Sequence, residues 1–183
     1  VWTADAMRHI TPLTYPAASD LAAPESALDL ARRECESAQL LVTAADGAAV
    51  SNVTVTVTTL TGDAGQRFDG EIAWQRIGYI RRQRPYHPHP CGAPVDENWL
   101  PDPLLPAAPF TVRPAATQGV WLTARAAPDA VPGTYRGQIT VSVGDQPLRI
   151  LPITVRVRGF ANPVTFGMPT AFCVMDGFTR AQY

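Results

Sequence analysis

The sequence predicts an all-β chain, an antiparallel β-sandwich of the Ig-like or jelly-roll type with a long proline-rich loop. Three observations carry this. Apolar and polar residues alternate with period two along most of the chain, the spacing of half-buried strands. Turn dipeptides built on glycine separate those runs. The string Asp129-Ala-Val-Pro-Gly133-Thr-Tyr135 has the order of a tyrosine corner, in which a phenol reaches back to a backbone group and pins the loop that crosses between two sheets.

The elements follow in chain order. A short polar piece near residues 17–23 is a weak helix candidate. Ala38 to Val42 forms an apolar run after the charged stretch Arg32, Arg33, Glu34 and Glu36. Val53, Val55 and Val57 alternate with Thr54, Thr56 and Thr58, between Asp46-Gly47 and the turns Gly62-Asp63 and Asp69-Gly70. Trp74 to Ile80 is a further strand. Val120, Leu122 and Ala124 alternate with Trp121, Thr123 and Arg125. Residues 134–157 read as a hairpin about Gly144-Asp145. Pro152 interrupts its second arm and signals an edge or a bulge.

From Arg81 to Pro109 no strand pattern is visible, and a connection of that length is unusual unless it has a role. Its most informative part is Asn98-Trp-Leu-Pro-Asp-Pro-Leu-Leu-Pro106. Its prolines remove backbone donors and fix φ, which excludes a helix or a central strand. The expectation is a stiff loop presenting Trp99 and Asp102 at a surface. Past Gly159 the composition changes. Thr170-Ala-Phe-Cys-Val-Met-Asp176 is a continuous apolar strand ending in an acid, as in a parallel sheet or barrel. The expected division is therefore a sandwich over 1–160, with a linker and the first strand of a further domain over 161–183.

Composition narrows the function. The chain has 183 residues, 46% hydrophobic and only 17% charged, with 18 prolines and 13 glycines. A net charge of −1 gives no long-range pull on nucleic acid or on an anionic membrane. No apolar run reaches the length of a membrane span. All 15 basic residues are arginine, which, with the abundant alanine, points to a GC-rich genome rather than to a function. Of the three cysteines, Cys35 and Cys91 are compatible with a disulfide that the sequence alone does not establish.

Chemistry-bearing groups are sparse. Nucleophile elbows, phosphate loops and dinucleotide fingerprints are absent from the sequence. His87-Pro-His89-Pro-Cys91 offers soft ligands, but prolines between them make chelation by one short loop awkward, so neither a metal nor another cofactor is expected. Glu34 and Glu36 share a face if the backbone is extended, with Gln39 opposite. They read as structural anchors, as does Tyr135. Aromatic rings stack on sugars, although their ordinary fate is burial in a core or interface. Trp99 is the candidate sugar-facing ring, with Asp102 beside it, and Trp121 is expected to pack between layers or domains.

Several strings coincide with one family: Val1-Trp-Thr-Ala-Asp-Ala, Arg33-Glu-Cys-Glu-Ser-Ala-Gln39, Leu100-Pro-Asp-Pro-Leu-Leu-Pro106, and Val120-Trp-Leu-Thr-Ala-Arg ahead of Pro128-Asp-Ala-Val-Pro-Gly-Thr-Tyr-Arg-Gly-Gln-Ile-Thr-Val141. Together they resemble the N-terminal β-sandwich of glycoside-hydrolase-like proteins similar to glycoside hydrolase family 123, which includes β-N-acetylgalactosaminidases. The resemblance implies a non-catalytic sandwich that braces a following (β/α) barrel and lines part of its cleft. That C-terminal barrel is then the expected partner, with a glycan as a further one, and a secreted or periplasmic location is expected. Residues 170–176 become the first barrel strand, and Asp176, at its carboxyl end, becomes a candidate substrate contact. Family members use an adjacent aspartate–glutamate pair on the barrel. Asp96-Glu97 precedes any barrel here, so no catalytic residue is assigned. The other reading is an independent carbohydrate-binding module or an adhesive sandwich.

Overall fold

The computed structural model describes residues 1–22, 24–81 and 99–165. The elements are β1 (Trp2–Asp5), α1 (Ala18–Ala22), β2 (Ser26–Arg32), β3 (Cys35–Thr43), β4 (Val50–Val57), β5 (Thr61–Gly62), β6 (Gly70–Arg81), β7 (Trp99–Leu105), β8 (Phe110–Val112), β9 (Thr117–Ala126), β10 (Gly133–Val143) and β11 (Gln146–Ala161). They form two sheets. The first has the order β1-β3-β9-β6-β7, and the second β2-β11-β10-β4-β8, with β5 pairing β10 off that path.

The core lies between the sheets, where period-two alternation puts it. Leu40, Val42, Val120, Leu122 and Ala124 meet Leu28, Leu30, Val53, Val55, Ile139, Val141, Ile153 and Val155, all of them buried. Full burial of each large aliphatic side chain contributes about 1.5–3 kcal/mol against the entropy of ordering the chain. The chain changes sheet between β9 and β10, and Tyr135 holds that corner. Its fully buried phenol donates to the carbonyl of Val131 at 2.6 Å, and its ring stands edge-on to Phe68 with centroids 5.5 Å apart. A second crossing, from β2 to β3, turns on Arg33 in the left-handed region at φ 66°. There the Glu34 carboxylate accepts the amide of Ala31 at 2.6 Å.

The hairpin of β10 and β11 closes as expected. Val143 pairs with Gln146 across a two-residue turn, and Gly144, at φ 58°, occupies the first turn position where a side chain would be strained. Pro152 lies within β11, opposite Gln138. The amide and carbonyl of Gln138 both bond Thr58 on the other side, so Pro152 directs its missing donor away from β10. Pairing of β11 with β2 begins one residue later, at Ile153. The proline thus sits at a local edge, and the bulge in this ladder falls between Val141 and Ser142 instead.

Two expectations are corrected. Trp99–Leu105 is a strand rather than a loop: it pairs antiparallel with β6 at the margin of the first sheet. Prolines are compatible with a strand that has one free side, and a bulge between Ile77 and Tyr79 absorbs the irregular register. Glu34 and Glu36 do not share a face, because Glu34 lies in the turn while Glu36 belongs to β3. The rest of the expected loop (82–98, with the His87–Cys91 motif and Asp96-Glu97) and the expected barrel strand with Asp176 lie outside the described residues. The helix candidate near 17–23 forms as the five-residue α1, with Asp20 accepting the amide of Ala17 at 2.8 Å.

Candidate functional site

The outer face of the first sheet gathers the polar and aromatic residues that the core does not use. Register sets them side by side. Gln39 of β3 lies opposite Trp121 of β9, which lies opposite Gln75 of β6. Part of this face is already covered. The chain after β1 folds back over it, and Trp2, Ile10 and Leu41 form a small second core there. This explains why β3 reads as a continuous apolar run: both of its faces are buried.

Gln39 ties that covering segment down. It is buried, and its Nε2 donates to the carbonyls of Asp5 at 2.9 Å and Arg8 at 2.7 Å. Arg8 stacks over Trp2 at 5.0 Å and forms a two-pronged bond with Asp20 at 2.8 and 3.0 Å. This hydrogen bond with Asp20 raises the Arg8 pKa above its ordinary value, and the same bond, with the Ala17 amide, lowers that of Asp20. Asp20 therefore stays ionised and cannot serve as a proton donor near neutrality.

Between the covering segment and β7 opens a cavity of about 360 Å³. Trp121, Ile77, Pro101, Leu104 and Met7 supply its apolar wall, and Asp102, His9, Arg8 and Gln39 its polar groups. Met7 is 92% and Leu104 42% exposed, so this is an open, greasy surface with an acid and two basic residues at hand. Such a mix suits either a sugar ring or a partner domain.

The structure thus brings Asp102, Gln39 and Trp121 together and leaves the other candidates elsewhere. Trp99 is half-buried at the far end of β7, with the guanidiniums of Arg81 and Arg113 each 5.9 Å from its ring. Glu36 is exposed, with a carboxylate oxygen 3.2 Å from the amide of Ser37. Cys35 is exposed at the start of β3. His9 and Arg8 escaped sequence reasoning because nothing in the local pattern shows that the segment after β1 doubles back onto the sheet; Trp2 and Ile10 as apolar anchors on either side were the available signal. The Tyr79 hydroxyl accepts the amide of Gly119 at 3.0 Å, and burial pushes its pKa up to about 12. Among the described residues, no group of three or more His, Cys, Asp or Glu is placed to hold a metal ion.

Comparison with known proteins adds the family. The family described as "Glycoside hydrolase 123 N-terminal domain" matches residues 31–143. No curated protein matches the chain. Among solved structures, a family 123 glycoside hydrolase from Clostridium perfringens, reported for its hydrolysis of glycolipid glycans, superposes with a TM-score of 0.58 at 16% identity. The match covers 75% of this chain and 23% of that one.

Proposed function

The chain belongs to the glycoside hydrolase 123 N-terminal domain family, and from that premise we propose that it is a non-catalytic sandwich that braces a following (β/α) barrel and lines one side of its substrate cleft. The observation that carries this reading is the open cavity on the first sheet, where Trp121, Ile77 and Leu104 stand beside Asp102 and His9. Apolar side chains with a few polar groups are what an interdomain contact needs, and contacts of that kind are more polar than a core. The share of the Clostridium perfringens chain that is matched fits a leading domain of a larger enzyme. On this reading the parent protein is a hexosaminidase-like glycoside hydrolase, secreted or periplasmic, and Asp176 contacts its substrate.

The 183-residue chain alone is expected to show no turnover of aryl N-acetylhexosaminides; turnover above buffer would refute the assignment. In the parent protein, Leu104→Asp should split one cooperative thermal transition into two as the sandwich separates from its neighbour. A single unchanged transition would place the contact elsewhere.

One observation favours a second reading, an independent carbohydrate-binding module: the same cavity pairs an indole with a carboxylate. That reading expects retardation of the chain on a polysaccharide gel, abolished by Trp121→Ala. Retardation that is lost in Trp99→Ala and kept in Trp121→Ala would move the sugar to the other end of β7.

A further inference from the structure

Two residues along β7 from the cavity wall at Pro101, the same sheet face turns basic. Arg81, at the end of β6, lies opposite Trp99 at the start of β7, and Arg113 directly follows β8. The guanidinium carbons of Arg81 and Arg113 each stand 5.9 Å from the centre of the Trp99 ring. Both arginines are exposed, and neither is matched by an acid among the ion pairs of the described residues. Two like charges thus converge on one indole, in a chain whose net charge is −1. The attraction of an exposed indole for each cation is only about 0.5–1 kcal/mol, a weak offset to their mutual repulsion.

The second, independent sign is an unspent donor. Tyr79, two residues before Arg81, lines a pocket of about 40 Å³ together with Arg113, Thr111 and Gln118. That is room for one small polar group and not for a ring. The Tyr79 oxygen accepts the Gly119 amide at 3.0 Å, but no acceptor takes its own proton among the described residues. Tyrosine hydroxyls withdrawn from water ordinarily spend that proton on an acceptor. Arg113 belongs to both features, so the pocket and the paired arginines form one place with three donors and no acid.

We propose that this end of the face binds an acidic sugar, a uronic acid residue whose carboxylate is held by Arg81, Arg113 and the Tyr79 hydroxyl while its ring lies against Trp99. Three features select this class. The uncompensated charge is positive, and guanidiniums grip a planar carboxylate by paired hydrogen bonds. A carboxylate oxygen fits the small pocket and accepts the Tyr79 proton. The indole is half-buried, and at 5.9 Å neither guanidinium is stacked in contact with it, so part of the ring is open to a pyranose. That the anion sits on a sugar rests on the glycoside-hydrolase reading above. With a hexosaminidase-like parent, it points to a glycan in which a uronic acid neighbours an N-acetylhexosamine.

The test is calorimetric titration of the 183-residue chain with an unsulfated chondroitin tetrasaccharide, in which glucuronate alternates with an N-acetylhexosamine. Chitotetraose is the neutral control and inorganic sulfate the bare anion. Saturable one-to-one binding of the acidic tetrasaccharide is expected, at least about tenfold tighter than either control. Affinity should fall about tenfold or more in Arg81→Gln and in Arg113→Gln, and roughly three- to tenfold in Tyr79→Phe. An unchanged melting temperature verifies that each variant folds, and the two arginine variants, at exposed positions, keep the test decisive if Tyr79→Phe does not fold. Absence of saturable binding, equal binding of chitotetraose, equal binding of sulfate, or unchanged affinity in any folded variant would overturn the proposal. The bracing role is read separately, from turnover and from the thermal transitions of the parent protein, so either reading can fail while the other stands.

Discussion

Tyr79 shows how one buried hydroxyl couples stability to pH. Its pKa rises to about 12 because burial disfavours the phenolate, and the bond from the Gly119 amide offsets this only in part. The unfolded phenol ionises near ~10. The neutral form is therefore the folded form, and its contribution is complete below ~10 and lost as pH climbs from there through about 12. Denaturant titrations between pH 9 and 12 should show this loss in the native chain and not in Tyr79→Phe, once shared base effects are subtracted. Asp20 runs in the opposite sense. Its pKa is lowered, so the Arg8 pair supports the fold above the ordinary carboxylate range and fails as pH falls below it. Tyr135→Phe should cost about 1 kcal/mol in chemical denaturation, the net worth of one buried hydrogen bond, because the ring keeps its place against Phe68. Gln39→Leu should loosen the segment after β1, read as faster amide exchange at Ile10 and Thr11, since two carbonyls lose their donor.

At the scale of strands, what was legible depended on how many faces each strand buries. β4, β9 and β10 bury one face against the opposite sheet, and their alternation gave the core directly. β3 buries both, so its pattern became a plain apolar run. β7 was unreadable as a strand because prolines and a bulge replace its alternation, and its status comes from pairing with β6, a tertiary fact. The candidate cavity was half legible for the same reason. Trp121, Gln39 and Asp102 stood out by residue type, while Arg8 and His9 arrive only through a fold-back that leaves no local signature. Pairing within the first sheet also rests on close approach. A Cβ at Gly70 would lie 2.2 Å from the backbone oxygen of Arg125, so Gly70→Ala must part β6 from β9 at that end. The expected result is a clear loss of thermal stability, whereas Gly159→Ala, with open space around it, should change little.

For the molecule as a whole, partners far apart in sequence hold the two layers together. Cys35 faces Arg125, and Leu28 of β2 faces Val155 of β11. Such a network forms late and all at once, so a single cooperative transition is expected, with folding in the millisecond-to-second range. Leu122, fully buried at the centre of that network, should cost about 2–5 kcal/mol when replaced by alanine, measured as a shift in the denaturation midpoint. The pairing of β11 has a mechanical side. This strand runs alongside β10 in one direction and β2 in the other, and at its far end the Asn162 amide bonds the carbonyl of Arg32 at 2.9 Å. Tension drawn along β11 from beyond Ala161 would strain many rungs at once in shear rather than peel them singly, so this corner should withstand tugging far better than the short β1 at the edge of the other sheet.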